Sequence, residues 1–371
     1  MKKRLDSLDI IRACACLAVF AHHSNLINCG VWSVSAFFML SGFLMSYNYY
    51  DRAGVSEPGL KGSIVFSYKR VRKLYPLHLI TMLLMLAYYV IVMSGNLTAD
   101  VLIFRVKAFL ASILLVQSWV PDIEYAFSYN GVSWYLSVAV FLYFMFPCIM
   151  RRIRKYKSAK PAVISIVVTM VLQFVSAFAA AHLYAEINAP GPEEQEAFEH
   201  WFSYTLPLYR LGDFVIGCNL GYLFLKRGGA APSRSRGTVL ELAAIGAVAV
   251  SEFLYVGKYL PPYISFNLIF TLPVMLLIYS FALNSGLVSK LAAVKPVKFI
   301  SGLSGEIFLV HFTVIKYVSA VFEIVLQYIL PFSWMTQKVL ATLIIFAATL
   351  VFSWLYKKYS PNLFRRRPKC A

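Results

Sequence analysis

Charge is what this chain has least of. Only 14% of its 371 residues are Asp, Glu, Lys or Arg, where a soluble domain carries about 25%. The shortage is mostly acidic, 17 Asp and Glu against 35 Lys and Arg. With 60% hydrophobic residues and a mean hydropathy of +0.68, a water-soluble globular chain is excluded. No internal repeat of about 20–50 residues is visible, which argues against solenoids and propellers. There is also no low-complexity linker and no polar stretch long enough for an extra soluble domain. One membrane domain over residues 1–371 is therefore expected, with spans between about 8 and 356 and a basic tail at 357–371. The six cysteines (Cys14, Cys16, Cys29, Cys148, Cys218, Cys370) form neither a CxxC pair nor a cluster with histidine. That argues against a zinc site, and they read as small apolar packing residues. No metal site is expected. The net charge of +18 invites a nucleic-acid reading, but the basic residues sit in short loops between apolar runs. That is the topology signal of a membrane protein, so no nucleic-acid partner is expected.

What the chain does have is apolar runs long enough to cross a bilayer. They read at about 8–28, 31–50, 74–94, 132–150, 161–182, 204–225, 237–256, 264–284, 301–324 and 338–356. A further segment near 101–120 contains Arg105 and Lys107. If it does not cross, nearly all loop Lys and Arg fall on one side. The acidic loops PDIEYAF and AEINAPGPEEQEAFEH then fall on the other. The positive-inside rule thus gives about ten spans in an all-α helical bundle. Both termini are cytoplasmic in a plasma (inner) membrane, and 101–120 is re-entrant or interfacial. Met1-Lys2-Lys3-Arg4 resembles a signal-peptide start, but Arg12, His22 and His23 interrupt the run, so an uncleaved first span is the better reading.

Inside the first span, Arg12 and His23 are eleven residues apart. At about 100° per residue they share one helix face, roughly 16 Å apart along the axis. Ionisable groups in a span are expensive and point to function. Histidine suits a general base, because its ordinary pKa lies near neutrality. The plainer alternatives are interhelical packing for His23 and an Arg12 that snorkels and pairs with Asp9. Arg210 and Asp213, one turn apart, read as an internal ion pair or an acceptor contact. Trp134 reads as an interfacial aromatic or a sugar-stacking platform. Ser41-Gly42 and Gly217-x-x-x-Gly221 read as close helix contacts.

Taken in order, several motifs resemble one family. LDIIRACACLAVFAHH carries Arg12 and His23, and FFMLSGFL (Phe37–Leu44) and KRVRKLYP follow it. Next come WYLSVAVFLYFMFP (Trp134–Pro147), RLGDFVIGCNLG (Arg210–Gly221) and SGLSGEIFLVH (Ser301–His311). The set resembles the acyltransferase 3 family of integral membrane O-acyltransferases, of the polysaccharide O-acetyltransferase type. Departures are Lys73 for Arg, Ala139 where many relatives have Glu, Asp213 for Glu and Phe308 for Tyr. No hydrolase-fold extension is expected after the last span.

The resemblance implies transfer of an acyl group, acetyl first, from acyl-CoA to a hydroxyl of a cell-surface polysaccharide or lipid-linked oligosaccharide. It implies acetyl-CoA as a donor substrate and no permanently bound cofactor. His23 is then the candidate base, with Glu306 as the group that orients an imidazole. Arg12, Arg70, Lys73 and Ser41 are donor-site candidates; Arg210, Asp213, Trp134 and His311 are acceptor or structural polar residues. The bilayer is a partner, and the oligomeric state is left open. The alternatives are a glycan transporter or flippase, or an accessory subunit of exopolysaccharide assembly.

Overall fold

The computed structural model describes residues 4–52, 59–92, 98–227, 231–322 and 334–363. Lys2, Lys3, Glu323 and the basic tail beyond 363 lie outside them. Among the described residues the chain is all helical, with no strand. The helices are α1 (Leu8–His23), α2 (Val31–Tyr49), α3 (Leu60–Val71), α4 (Tyr75–Val92), α5 (Ala99–Ile113), α6 (Ile123–Ala126), α7 (Trp134–Ile153) and α8 (Lys160–Asn188). They continue with α9 (Pro192–His200), α10 (Pro207–Lys226), α11 (Arg234–Val256), α12 (Pro262–Ser265), α13 (Leu268–Leu283), α14 (Lys295–Val321) and α15 (Trp334–Leu363). Seven helical stretches among the described residues are long and apolar enough to cross a membrane. The other three expected spans are occupied by α1, α2 and α10. At 16 residues α1 is short for a crossing. α2 and α10 are buried on nearly every side, so neighbouring helices, not lipid, decide which residues they tolerate.

α8 shows the opposite pattern. Its buried residues Ala162, Ile166, Gln173, Ala177 and Ala181 form one stripe. Val163, Val167, Val171, Leu172 and Val175 are exposed around it, as expected of a helix facing hydrocarbon. α2 and α10 touch through glycine. A Cβ on Gly42 would meet the Phe214 carbonyl, one on Gly217 the Met39 carbonyl, and one on Gly221 the Phe43 carbonyl. Both small-residue motifs are therefore backbone contacts.

The 101–120 segment turns back. Tyr75 Oη donates to the Ile113 carbonyl at 3.0 Å, and His78 Nε2 donates to that of Ser112 at 3.0 Å, so α5 ends beside the start of α4. The chain reverses at Leu115, whose φ is 58°. It then returns until Tyr125 packs edge-on against Phe104 (4.9 Å) and Tyr129 against Phe109 (5.2 Å), both on α5.

Three buried carboxylates cap helices other than their own. Glu252 accepts from the Trp32 N–H at the start of α2 (3.1 Å). Glu241 accepts from Gly286, Val288 and Ser289 N–H groups at 2.9–3.2 Å. Glu199 accepts from Tyr263 N–H at α12 (2.8 Å). Helix starts carry unpaired N–H groups and a positive dipole end, which is why carboxylates are tolerated there.

Candidate active site

α1 stops at His23 for a local reason. Asn25 adopts φ 54°, which asparagine tolerates better than most residues. Asn25 N–H bonds the His22 carbonyl (3.1 Å) and Leu26 N–H bonds that of Ala21 (2.9 Å), the paired C-terminal arrangement that satisfies the last carbonyls. α14 runs beside α1 in the same direction. Ser301 Oγ donates to Asp9 Oδ1 at 3.0 Å near the helix starts. His311 Nε2 lies 2.9 Å from His23 Nδ1 near the end of α1.

That second contact fixes the protons. His311 Nδ1 is 3.0 Å from the Ile307 carbonyl, which only accepts, so Nδ1 carries the hydrogen. In a neutral His311, Nε2 is then the acceptor, and His23 Nδ1–H donates to it. The His23 Nε2 lone pair is left free, on a ring that lines a small cavity of about 100 Å³. His22, Trp134, His200, Tyr204 and Phe308 share the lining. His200 lies on α9, in the connection between the α8 and α10 spans. Burial, with Arg210 and His22 adding to it, holds His200 down to about 3. It is therefore neutral at physiological pH.

A second cavity of about 420 Å³ opens at the other end of α1. Arg12, Arg52 and Arg70 line it together with Ser41, Asn48 and Tyr143. Arg70 sits over the rings of Phe66 (4.6 Å) and Tyr49 (4.9 Å). Arg154 Nη2 donates to the carbonyls of Tyr49 (2.8 Å) and Arg52 (2.6 Å), fixing the turn that presents Arg52. Arg12 lies 3.5 Å from Asp9, but Asp9 is also held by Arg4 at 2.6 Å and by Ser301. Arg12 thus both pairs with Asp9 and lines the cavity.

Aromatic rings separate the two cavities. Tyr135 packs on Phe308 (4.9 Å), and Phe37 packs on both Tyr135 (6.1 Å) and Phe308 (5.9 Å). Phe308 also lines the histidine cavity, and the Tyr135 and Tyr143 hydroxyls turn to Ser41 on the arginine side.

The sequence profile of the acyltransferase 3 family, an acyltransferase domain, matches residues 5–358. The chain belongs to that family. Two curated relatives agree. Acyltransferase MdmB of Streptomyces mycarofaciens is 29% identical over 347 residues, covering 85% of this chain and 80% of the relative. Peptidoglycan O-acetyltransferase OatA of Listeria monocytogenes is 25% identical over 343 residues; the match covers 87% of this chain and 51%, about half, of the relative. No solved structure matches. The chain is thus a multi-pass membrane acyltransferase.

The remaining candidates of this acyltransferase do not all meet in one place. Trp134 lines the histidine cavity, and Arg12, Arg70 and Ser41 line the arginine cavity. Lys73 is exposed and is not in that lining. Glu306 faces Lys357 Nζ at 3.9 Å, and the imidazole of His23 is partnered by His311 instead. Arg210 and Asp213 form a buried pair at 2.8 Å. Asn267 and Gln173 also donate to Asp213, at 2.9 and 3.3 Å, and Arg210 donates to Ser35 (3.1 Å) and to the Tyr204 carbonyl (2.7 Å). A buried ion pair is tolerated when further hydrogen bonds complete it, and this one holds the Tyr204 wall of the histidine cavity. Sequence reasoning missed Arg52. Nothing distinguishes it in the sequence from other basic loop residues.

Proposed function

We propose that the chain transfers an acyl group, acetyl in the simplest case, from acyl-CoA to a hydroxyl of a cell-envelope glycan. The donor binds on the basic, cytoplasmic side and the acceptor on the opposite side. The observation that carries this reading is the placement of a three-arginine cavity and a histidine cavity along one helix, with an aromatic partition between them. Arginine forks match phosphate oxygens, and coenzyme A carries several phosphates. Arg12 and His23 are roughly 16 Å apart, so they act on different parts of an extended donor. The phosphates lie among Arg12, Arg52 and Arg70, and the pantetheine arm passes the Tyr135–Phe308 partition towards His23. The similarity to the Listeria peptidoglycan O-acetyltransferase supports acetyl transfer to an envelope glycan.

His23 Nε2 takes the hydroxyl proton as the acceptor oxygen attacks the thioester carbon. The tetrahedral intermediate collapses, the carbon–sulfur bond breaks, and the proton returns from His23 to the thiolate sulfur. The products are an O-acyl ester and free CoA. His311 keeps the Nδ1 proton of His23 in place throughout.

Two variants test this reading. His23→Ala should bind CoA as the parent does while the glycan, at normal abundance, loses its O-acyl ester by mass spectrometry. Arg52→Ala combined with Arg70→Ala should weaken CoA binding about ten-fold or more, the scale of lost charge-assisted contacts. Unchanged acylation in His23→Ala sinks the base assignment. Loss of glycan export in that variant favours a transporter.

A further inference from the structure

The histidine cavity, at about 100 Å³, is too small for a whole acceptor, since sites that enclose a ligand run to roughly 300–1,000 Å³. It admits the reacting end only. A third chamber, of about 460 Å³, adjoins it away from the arginines, and Tyr255 and Phe266 line both. Phe266 is held by a stack on His200, 4.2 Å between centroids and 10° between planes. The lining adds a third aromatic, Tyr259, and hydrogen-bonding groups from Asn28 and Ser265. Its two charged residues, Glu196 and Lys258, lie 3.8 Å apart and cancel each other. Glu193 and Glu194, exposed on the same α9 as Glu196, make the approach unfavourable to anions.

We infer that this chamber is an acceptor subsite for an uncharged sugar unit adjoining the one that is acylated. The inference rests on the proposed acyl transfer to a glycan. Aromatic faces meet the C–H faces of the sugar while Asn28 and Ser265 bond its hydroxyls. The ion pair gives it no net charge to meet. The shared Tyr255–Phe266 wall places the next unit on the side where His23 lines the neighbouring cavity. The site selects acceptors by what lies beside the reacting hydroxyl and excludes uronic- or sialic-type neighbours.

The probe is envelope glycan extracted from a strain lacking the gene, split by anion exchange into neutral and acidic fractions. With purified full-length protein and acetyl-CoA, Asn28→Ala and Tyr259→Ala should each raise KM for the neutral fraction about five-fold, the scale of one aromatic or hydrogen-bonding contact. kcat and KM for acetyl-CoA should stay at parental values. An unchanged glycan KM, or a loss confined to kcat, overturns the subsite. A second measurement does not depend on turnover. In a His23→Ala background with the six native cysteines replaced by serine, maleimide labelling of Tyr259→Cys should be slowed by the neutral fraction and not by the acidic one. Equal labelling with and without the neutral fraction, or protection by the acidic fraction alone, overturns the subsite. A parent that acylates neither fraction overturns the proposed transfer as well, and so is distinguishable from failure of the subsite alone.

Discussion

The basic nitrogen of His23 is chosen by a carbonyl on another helix. Ile307 O accepts from His311 Nδ1, His311 Nε2 accepts from His23 Nδ1, and His23 Nε2 is what remains. With His23 as the proposed base, His311 is assigned a positioning role that lies in accepting a hydrogen bond. His311→Leu removes the acceptor and lets the His23 ring rotate or change tautomer; His311→Gln keeps a carbonyl oxygen in reach. Leucine should lower kcat roughly ten- to hundred-fold with KM for acetyl-CoA unchanged, and glutamine should recover part of the loss. Steady-state kinetics on the purified pair decides it: a leucine variant as fast as the parent, or a glutamine variant no better than leucine, removes the role. At this scale the sequence was legible only within one helix. Arg12 and His23 could be placed on a common face because α1 is regular from Leu8 to His23. The His23–His311 contact joins residues 288 positions apart, so no local periodicity announces it. Glu306 shares a span with His311, but which imidazole it would orient could not be read from sequence. The helix turns it instead towards Lys357.

Elements in this molecule owe their polarity to position in the bundle. α2 and α10 are the innermost pair and approach closely enough for glycine to be required at Gly42 and Gly217. The contact also sets the sites, since α2 carries Ser41 to the arginine cavity and α10 carries Arg210 beneath the histidine cavity wall. Gly217→Leu must push the Met39 backbone away, an overpacking that costs about 1–3 kcal/mol. On α11, nothing lies within 4 Å of a Cβ added at Gly246, so Gly246→Leu should be neutral or slightly stabilising, since leucine favours helix. Thermal unfolding in detergent should show a lower midpoint for Gly217→Leu alone; equal midpoints for the two variants would refute the close contact. Element existence was readable from apolar runs, and so was the turning back of 101–120, through the charge of its neighbours. The capping of α2 by Glu252 and of the 286–289 turn by Glu241 was not readable. A carboxylate that caps another helix leaves no signal in its own.

The whole molecule is organised by the side on which its charge falls. The α7–α8 connection carries Arg154, Lys155 and Lys157, and the arginine cavity draws Arg52 and Arg70 from the region between α2 and α4. The acidic α9 and the Glu196–Lys258 pair lie beside the third chamber. A cytoplasm-facing basic side is what the positive-inside rule requires, and it is also where acyl-CoA is made available. The expected topology and the proposed donor binding therefore depend on the same arginines being on the same side, and one measurement bears on both. In a background with all six native cysteines replaced by serine, Lys155→Cys and Lys258→Cys place single thiols at two exposed positions. In intact cells a membrane-impermeant maleimide should label Lys258→Cys. It should reach Lys155→Cys only after the membrane is opened. The reverse pattern would put the three-arginine cavity on the side without acyl-CoA. The arginines would then have to serve an anionic ligand from outside, and the direction of transfer from Arg12 towards His23 would fail with them.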